Sequence, residues 1–312
     1  MKKTTLLLFL LFTATGIAQK TALFTKDTLS INSLLKGTLY TPLKQNKKNN
    51  LVILIAGSGP TDRNGNQKGM TNNSLQLLAE ALANNNIAVY SYDKRIFAQM
   101  AAGNLDEASL SFDTFIDDAK TVMLHFKKQK KYHTITIAGH SEGALIGLVA
   151  ANGNADAYIS IAGAGRSIDE VLLEQIEKQA PFLKEEVEKN LATLKSGNTF
   201  ELKNPMIASL LRSSVQPYII SWIKYNPQTE IKKLHIPTLI INGDKDIQIN
   251  VNEAQLLHQA KSDAQLKIIP NMKHIYKEIK GDDTVNKASY TNPDLPVIQE
   301  LPSVITTFIQ SL

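Results

Sequence analysis

The 312-residue sequence predicts an α/β fold, a mostly parallel central sheet with helices on both faces. Two observations carry this expectation. Continuous apolar runs of strand length recur along the chain, as expected for strands buried on both faces. Helix-like segments separate them, so strand and helix patterns alternate. The runs are Leu51 to Ile55, Ile87 to Tyr92, Thr134 to Ala138, Ala157 to Ala162, Thr238 to Asn242 and Gln265 to Pro270. The intervening helical patterns cover Ser74 to Asn84, Ser111 to Gln129, Ala144 to Ala151 and Val251 to Lys261. Ahead of them, Leu29-Ser30-Ile31 and Thr38-Leu39-Tyr40 alternate weakly and suggest an opening antiparallel pair.

Composition narrows the classes of function. A 43% hydrophobic content supplies a large core. Residues 1–18 read as a signal peptide: Lys2 and Lys3 form a basic start, a short Leu- and Phe-rich stretch follows, and Gly16-Ile17-Ala18 offers a small-residue cleavage site. Cleavage after Ala18 predicts an exported protein, periplasmic or extracellular, with no stable membrane span thereafter. The net charge of +5 loses two charges with Lys2 and Lys3, and the remaining basic clusters are short. Lys44 to Lys48 lies in an Asn-rich turn, and Lys127 to Lys131 ends a helix whose dipole such cations complement. Nucleic acid is therefore not the expected partner. The sequence contains no cysteine, which excludes disulfides, a thiol nucleophile and lipoprotein attachment.

Residues 167–233 interrupt the strand–helix rhythm. They carry amphipathic, charged helical patterns such as Ile168 to Leu194, punctuated later by Pro205 and Pro217. The expected organisation is a core of residues 19–166 and 234–312 with 167–233 inserted as a helical cap. An insertion at the edge where ligands bind in open α/β sheets would roof the site.

The chemistry centres on Gly139-His140-Ser141-Glu142-Gly143, a G-x-S-x-G between a strand and a helix. A serine on so sharp a turn is held exposed at a helix start, and the flanking glycines give the chain room to fold back. Its hydroxyl needs a base, and a carboxylate to orient that base. His140 adjoins the serine but is turned elsewhere; His125 and His258 fall within helices, and His133 and His235 precede strands. His274 alone follows the last strand, so it is the expected base. Asp244 and Asp246 both follow the preceding strand, and Asp246 is preferred because it lies farther into its loop. The order Ser141, Asp246, His274 is then that of a known hydrolase architecture. Negative charge developing on a substrate oxygen needs backbone donors. The Glu142 N–H supplies one, and the Ser58 N–H, in Ala56-Gly57-Ser58-Gly59-Pro60, the other. That loop lacks the Lys-Ser/Thr of a phosphate-binding loop. No residue spacing suggests a metal site or an organic cofactor.

These matched loops resemble the α/β-hydrolase superfamily over roughly residues 28 to 312. Gly57-Ser58-Gly59-Pro60-Thr61-Asp62-Arg63-Asn64-Gly65, with Gly-His-Ser-Glu-Gly, is similar to secreted bacterial esterases of the serine aminopeptidase (S33-type) branch. The resemblance implies hydrolysis of short acyl esters through an acyl-enzyme, with Ser141 as nucleophile, His274 as base then acid, and Asp246 as its orienter. Two departures from the pattern are visible. Ile96-Phe97 replaces a glycine-containing continuation after Tyr92-Asp93-Lys94-Arg95, and Ala56 stands where many relatives carry His.

Asp62, Arg63, Asp93 and Arg95 are expected to pair and fix two loops; a clamp by Arg63 or Arg95 on a substrate carboxylate is the alternative. The leading expectation is thus an exported serine hydrolase acting on a small acyl ester. A peptidase acting on short peptides is the second, for which Glu170, Glu174 and Glu177 would read the substrate amine, although their helical spacing fits a solvated face. A non-catalytic binding protein on a hydrolase scaffold is the third.

Overall fold

The computed structural model describes residues 23–44 and 49–312. The signal-peptide reading of residues 1–18 and most of the Lys44 to Lys48 cluster lie outside the described residues. The sheet has eight strands: β1 (Phe24–Ser30), β2 (Lys36–Pro42), β3 (Leu51–Ile55), β4 (Ala88–Tyr92), β5 (Ile135–His140), β6 (Ala157–Ile161), β7 (Thr238–Gly243) and β8 (Gln265–Ile269). Their spatial order is β1-β2-β4-β3-β5-β6-β7-β8. β2 runs antiparallel to both β1 and β4, and β3 to β8 are parallel. Ile31, expected in the first strand, lies just beyond it and donates its backbone N–H to the Leu35 carbonyl across the turn.

Side chains of a strand alternate between faces, so a centrally placed strand must be apolar on both. β3 does this: Leu51, Ile53 and Ile55 enter one core, Val52 and Leu54 the other. The first core is closed by helices α3 (Phe112–Gln129), α4 (Glu142–Ala151) and α10 (Val251–Ala260), the second by α1 (Ser74–Asn84) and α12 (Glu300–Gln310). Helix α3 starts where the Ser111 hydroxyl accepts the Thr114 N–H at 3.2 Å, and α10 where Asn250 Oδ1 accepts the Asn252 N–H at 2.9 Å.

After β4 the chain forms a short helix, α2 (Arg95–Ala101), where the sequence suggested only an altered loop. Between β6 and β7 lie α5 (Ile168–Gln179), α6 (Lys184–Lys195), α7 (Ala208–Leu211), α8 (Gln216–Ile223) and α9 (Pro227–Ile231). The amphipathic pattern from Ile168 to Leu194 is two helices, broken at Ala180-Pro181, because proline cannot donate the backbone bond that would continue the first. A last short helix, α11 (Asp283–Ala288), follows β8 and precedes α12.

Candidate active site

Ser141 ends β5 and caps α4 with φ 54° and ψ −119°, a backbone conformation that side chains rarely adopt. The flanking glycines make the turn geometrically feasible. A Cβ on Gly139 would lie 2.0 Å from the Gly143 carbonyl oxygen, and one on Gly143 would lie 2.5 Å from the oxygens of Ile55 and Ala56. The turn is pinned by the Ser141 N–H donating to the Ile161 carbonyl at 3.0 Å.

The two loops after β7 and β8 meet beside it. His274 Nδ1 lies 2.7 Å from Asp246 Oδ2, and both side chains are almost wholly buried. The other Asp246 oxygen accepts the N–H groups of Gln248 and Ile249 at 2.8 and 2.9 Å, which fixes the carboxylate in place. Asp244 instead accepts the Asn271 N–H at 2.6 Å, tying the two loops together away from the imidazole. Gly243 allows this closeness, since a Cβ there would sit 1.9 Å from the Met272 carbonyl oxygen. With Asp246 accepting the Nδ1 proton, Nε2 is the imidazole atom left to take up a proton.

His140 has a different role. Its Nε2 donates to the His274 carbonyl at 3.0 Å, and its ring packs 4.6 Å from the His274 ring. Burial, and then the neighbouring His274, hold its pKa well below the usual histidine value. It is a neutral strut beneath the His274 loop.

Ser58 and Glu142 both border the space next to Ser141, and neither N–H is engaged in a hydrogen bond among the described residues. The Ser58 carbonyl accepts from Thr61 Oγ1 at 2.8 Å and from Gln67 Nε2 at 3.1 Å, which sets the direction of the loop. Lys94, named in the sequence analysis only as part of Tyr92-Asp93-Lys94-Arg95 and given no role there, is buried between the two candidate donors. Its Nζ donates to the Gly57 carbonyl and to Glu142 Oε1, each at 2.6 Å. Gly57 C=O and Ser58 N–H belong to one peptide unit, so a cation on that oxygen orients that N–H. The partners lie 37 and 48 residues from Lys94, beyond the reach of local pattern.

The expected pairing of four loop charges is corrected in part. Arg63 pairs with Asp93 through its backbone N–H at 2.8 Å and its guanidinium, with Nε at 3.0 Å. Arg95 pairs not with Asp62 or Asp93 but with Asp118 in α3, at 2.8 and 2.6 Å, because α2 carries it toward that helix. Asp62 accepts the backbone N–H groups of Asn64 and Asn66. Glu174 is bound by Arg166 and Lys178, Glu177 by Lys184 at 2.5 Å, and Glu170 by the Ser167 hydroxyl at 3.0 Å.

Among the described residues, two cavities border Ser141 and another adjoins them at Ser58 and Glu142. One of about 240 Å³ is lined by Ser141 together with Leu145, Ile168, Leu172, Ile219 and Trp222. A second of about 380 Å³ continues past Ser58 and Glu142 to Ile96, Leu110, Phe115, Tyr218 and Trp222. Both are largely apolar. Their charged lining residues are already paired: Lys94 with Glu142, Glu107 with Arg212, and Arg166 with Glu253. The third, about 210 Å³, is polar and contains both Ser141 and His274. Among the described residues no group of three or more His, Asp or Glu side chains is placed to hold a metal ion.

A doubly covered, mainly parallel sheet with a strained serine turn after β5, an acid after β7 and a histidine after β8 defines a class. The chain has the α/β-hydrolase fold. Within it, residues 68–211 match the family model described as serine aminopeptidase, S33. That stretch contains Lys94, Ser141 and Glu142, whereas Ser58, Asp246 and His274 fall outside it. The fold is similar to that of Est1E from Butyrivibrio proteoclasticus, with a TM-score of 0.57, 16% identity, and 91% of this chain and 99% of that chain covered. It is similar also to an esterase of Pyrococcus furiosus (TM-score 0.52, 14% identity, 92% and 91% covered). The peroxisomal α/β-hydrolase Lpx1 of Saccharomyces cerevisiae is a third (TM-score 0.53, 14% identity, 94% and 91% covered). A search of curated proteins found no match.

Proposed function

We propose that this chain is an exported serine hydrolase that cleaves carboxylic esters of apolar acyl groups through an acyl-enzyme. The observation that carries the reading is that His274, held by Asp246, borders the same cavity as Ser141, which also lines an apolar one. In this reading Ser141 Oγ attacks the ester carbonyl while His274 Nε2 takes its proton. The resulting oxyanion accepts hydrogen bonds from the Ser58 and Glu142 N–H groups. Collapse breaks the C–O bond, and His274 returns the proton to the departing alcohol. Water then adds to the acyl-enzyme, with His274 again as base, and the carboxylic acid leaves. Residues 167–233 act as a cap that lines the acyl side. Export follows from the signal-peptide reading of residues 1–18.

An aminopeptidase would hold the free amine of its substrate on the acyl side, where a carboxylate should face it. Glu107 and Glu142 border the apolar cavities, and each is paired with a basic residue. This favours the ester over the peptide. The test is turnover of 4-nitrophenyl esters of graded chain length beside aminoacyl anilides, with Ser141→Ala as control. Ester turnover that exceeds anilide turnover and falls by about 10⁴-fold or more in Ser141→Ala is expected. Anilide turnover in excess would make the chain a peptidase, and turnover of neither would leave a binding protein on a hydrolase scaffold.

A further inference from the structure

The geometry points to a neutral, polyhydroxylated alcohol, of the size of glycerol or a single sugar ring, as the leaving group of the ester. The inference rests on the ester reading above and adds the other half of the substrate. His274 must deliver its proton to the departing oxygen, so the alcohol lies on the His274 side of Ser141. Of the three cavities, only the polar one of about 210 Å³ includes His274; neither apolar one does. Acyl and alcohol halves thus meet opposite chemistry.

Two features of the polar cavity define what fits it. Its lining contains no Asp, Glu, Lys or Arg, so nothing there compensates a charged leaving group such as an amino acid carboxylate. It presents fixed neutral hydrogen-bonding groups instead. Asn72 lines it, is 0% exposed, and its Nδ2 has no hydrogen-bond partner among the described residues, although Oδ1 accepts the Ser74 N–H at 3.0 Å. Tyr290 OH accepts from Gln248 Nε2 at 3.0 Å, leaving its own proton to donate. Thr61 and Gln67 also line it, bonded to each other and to the Ser58 carbonyl. A buried amide without a partner is unfavourable until a ligand oxygen meets it, and an alkyl alcohol would leave it unmet. An alcohol with several hydroxyls can accept from both Asn72 Nδ2 and the Tyr290 hydroxyl.

The test keeps the acyl group constant. The purified full chain is assayed on hexanoate esters of 4-nitrophenol, n-hexanol, glycerol and a methyl glucoside, and kcat/KM is compared. The glycerol or glucoside ester is expected to exceed the hexyl ester by at least about tenfold, the effect of one or two well-placed hydrogen bonds. Asn72→Asp, which keeps the acceptor for the Ser74 N–H, and Tyr290→Phe, which removes only a hydroxyl, are each expected to shrink that ratio by about threefold or more. Hexyl ester turnover equal to or above that of the polyol esters would overturn the inference while leaving the esterase standing. So would a ratio unchanged in both variants. Failure on all four esters, the nitrophenyl ester included, would remove the ester reading and this inference with it.

Discussion

Lys94 ties the two sides of the candidate oxyanion site into one unit. A lysine 4% exposed is costly to bury, and here it is held by one carboxylate and one carbonyl at 2.6 Å. Lys94→Met should leave Glu142 as an unpaired buried carboxylate, destabilising the fold by about 3–5 kcal/mol. Adding Glu142→Gln should restore much of that stability in urea unfolding. It should not restore kcat, expected to stay about tenfold or more below wild type because the Ser58 peptide remains unanchored. A double variant with full kcat would make Lys94 only a structural ion pair. The residues of the site divide by how their signal is carried. Ser141, Asp246 and His274 are visible in sequence because each follows a strand, and strand ends can be read from apolar runs. Lys94 and Asp118 are not, since each acts through a partner brought near only by the fold.

At the scale of elements, the loop after β8 carries His274 between two buried lysines. Lys273 Nζ donates to the Asn286 carbonyl at 2.9 Å and to the Ser289 hydroxyl, and lies 3.7 Å from the Tyr290 ring centre. Burial, then the charge of Lys277, lower its pKa to about 7 against the opposing pull of Asp246; burial lowers that of Lys277 to about 8. The unfolded chain therefore holds protons that the folded chain has released between pH 7 and about 10.4, so these groups make stability rise with pH across that window. Below pH 7 the burial penalty on the charged form is complete. The stability of wild type relative to Lys273→Met is expected to increase by about 1 kcal/mol or more from pH 7 to pH 10, measured by urea unfolding. Parallel pH curves would show that Lys273 does not titrate there. The elements themselves were legible in proportion to their burial. β3 to β7 read as continuous apolar runs, and α1 was bounded correctly at both ends. Helix α2 carries no such signal, because Ile96-Phe97 reads as a change of loop sequence. The break at Pro181 was hidden within one long amphipathic pattern.

Across the whole molecule, the C-terminal edge of the sheet gathers the loops after β3, β5, β7 and β8 around one serine, and the helices between β6 and β7 line the apolar side. The sequence indicated that such a gathering would occur, since parallel strands end at a common edge. It did not indicate the contrast between apolar and polar cavities. That contrast depends on which faces of α5, α8 and the loop at Asn72 turn inward. In the proposed reaction Ser141 is the nucleophile, activated by His274. This role is tested most directly by treating the full chain with a fluorophosphonate and locating the adduct by peptide mass spectrometry. One adduct is expected, on Ser141, absent in Ser141→Ala and formed far more slowly in His274→Ala. Labelling of another residue instead, or ester turnover that survives in Ser141→Ala, would contradict it.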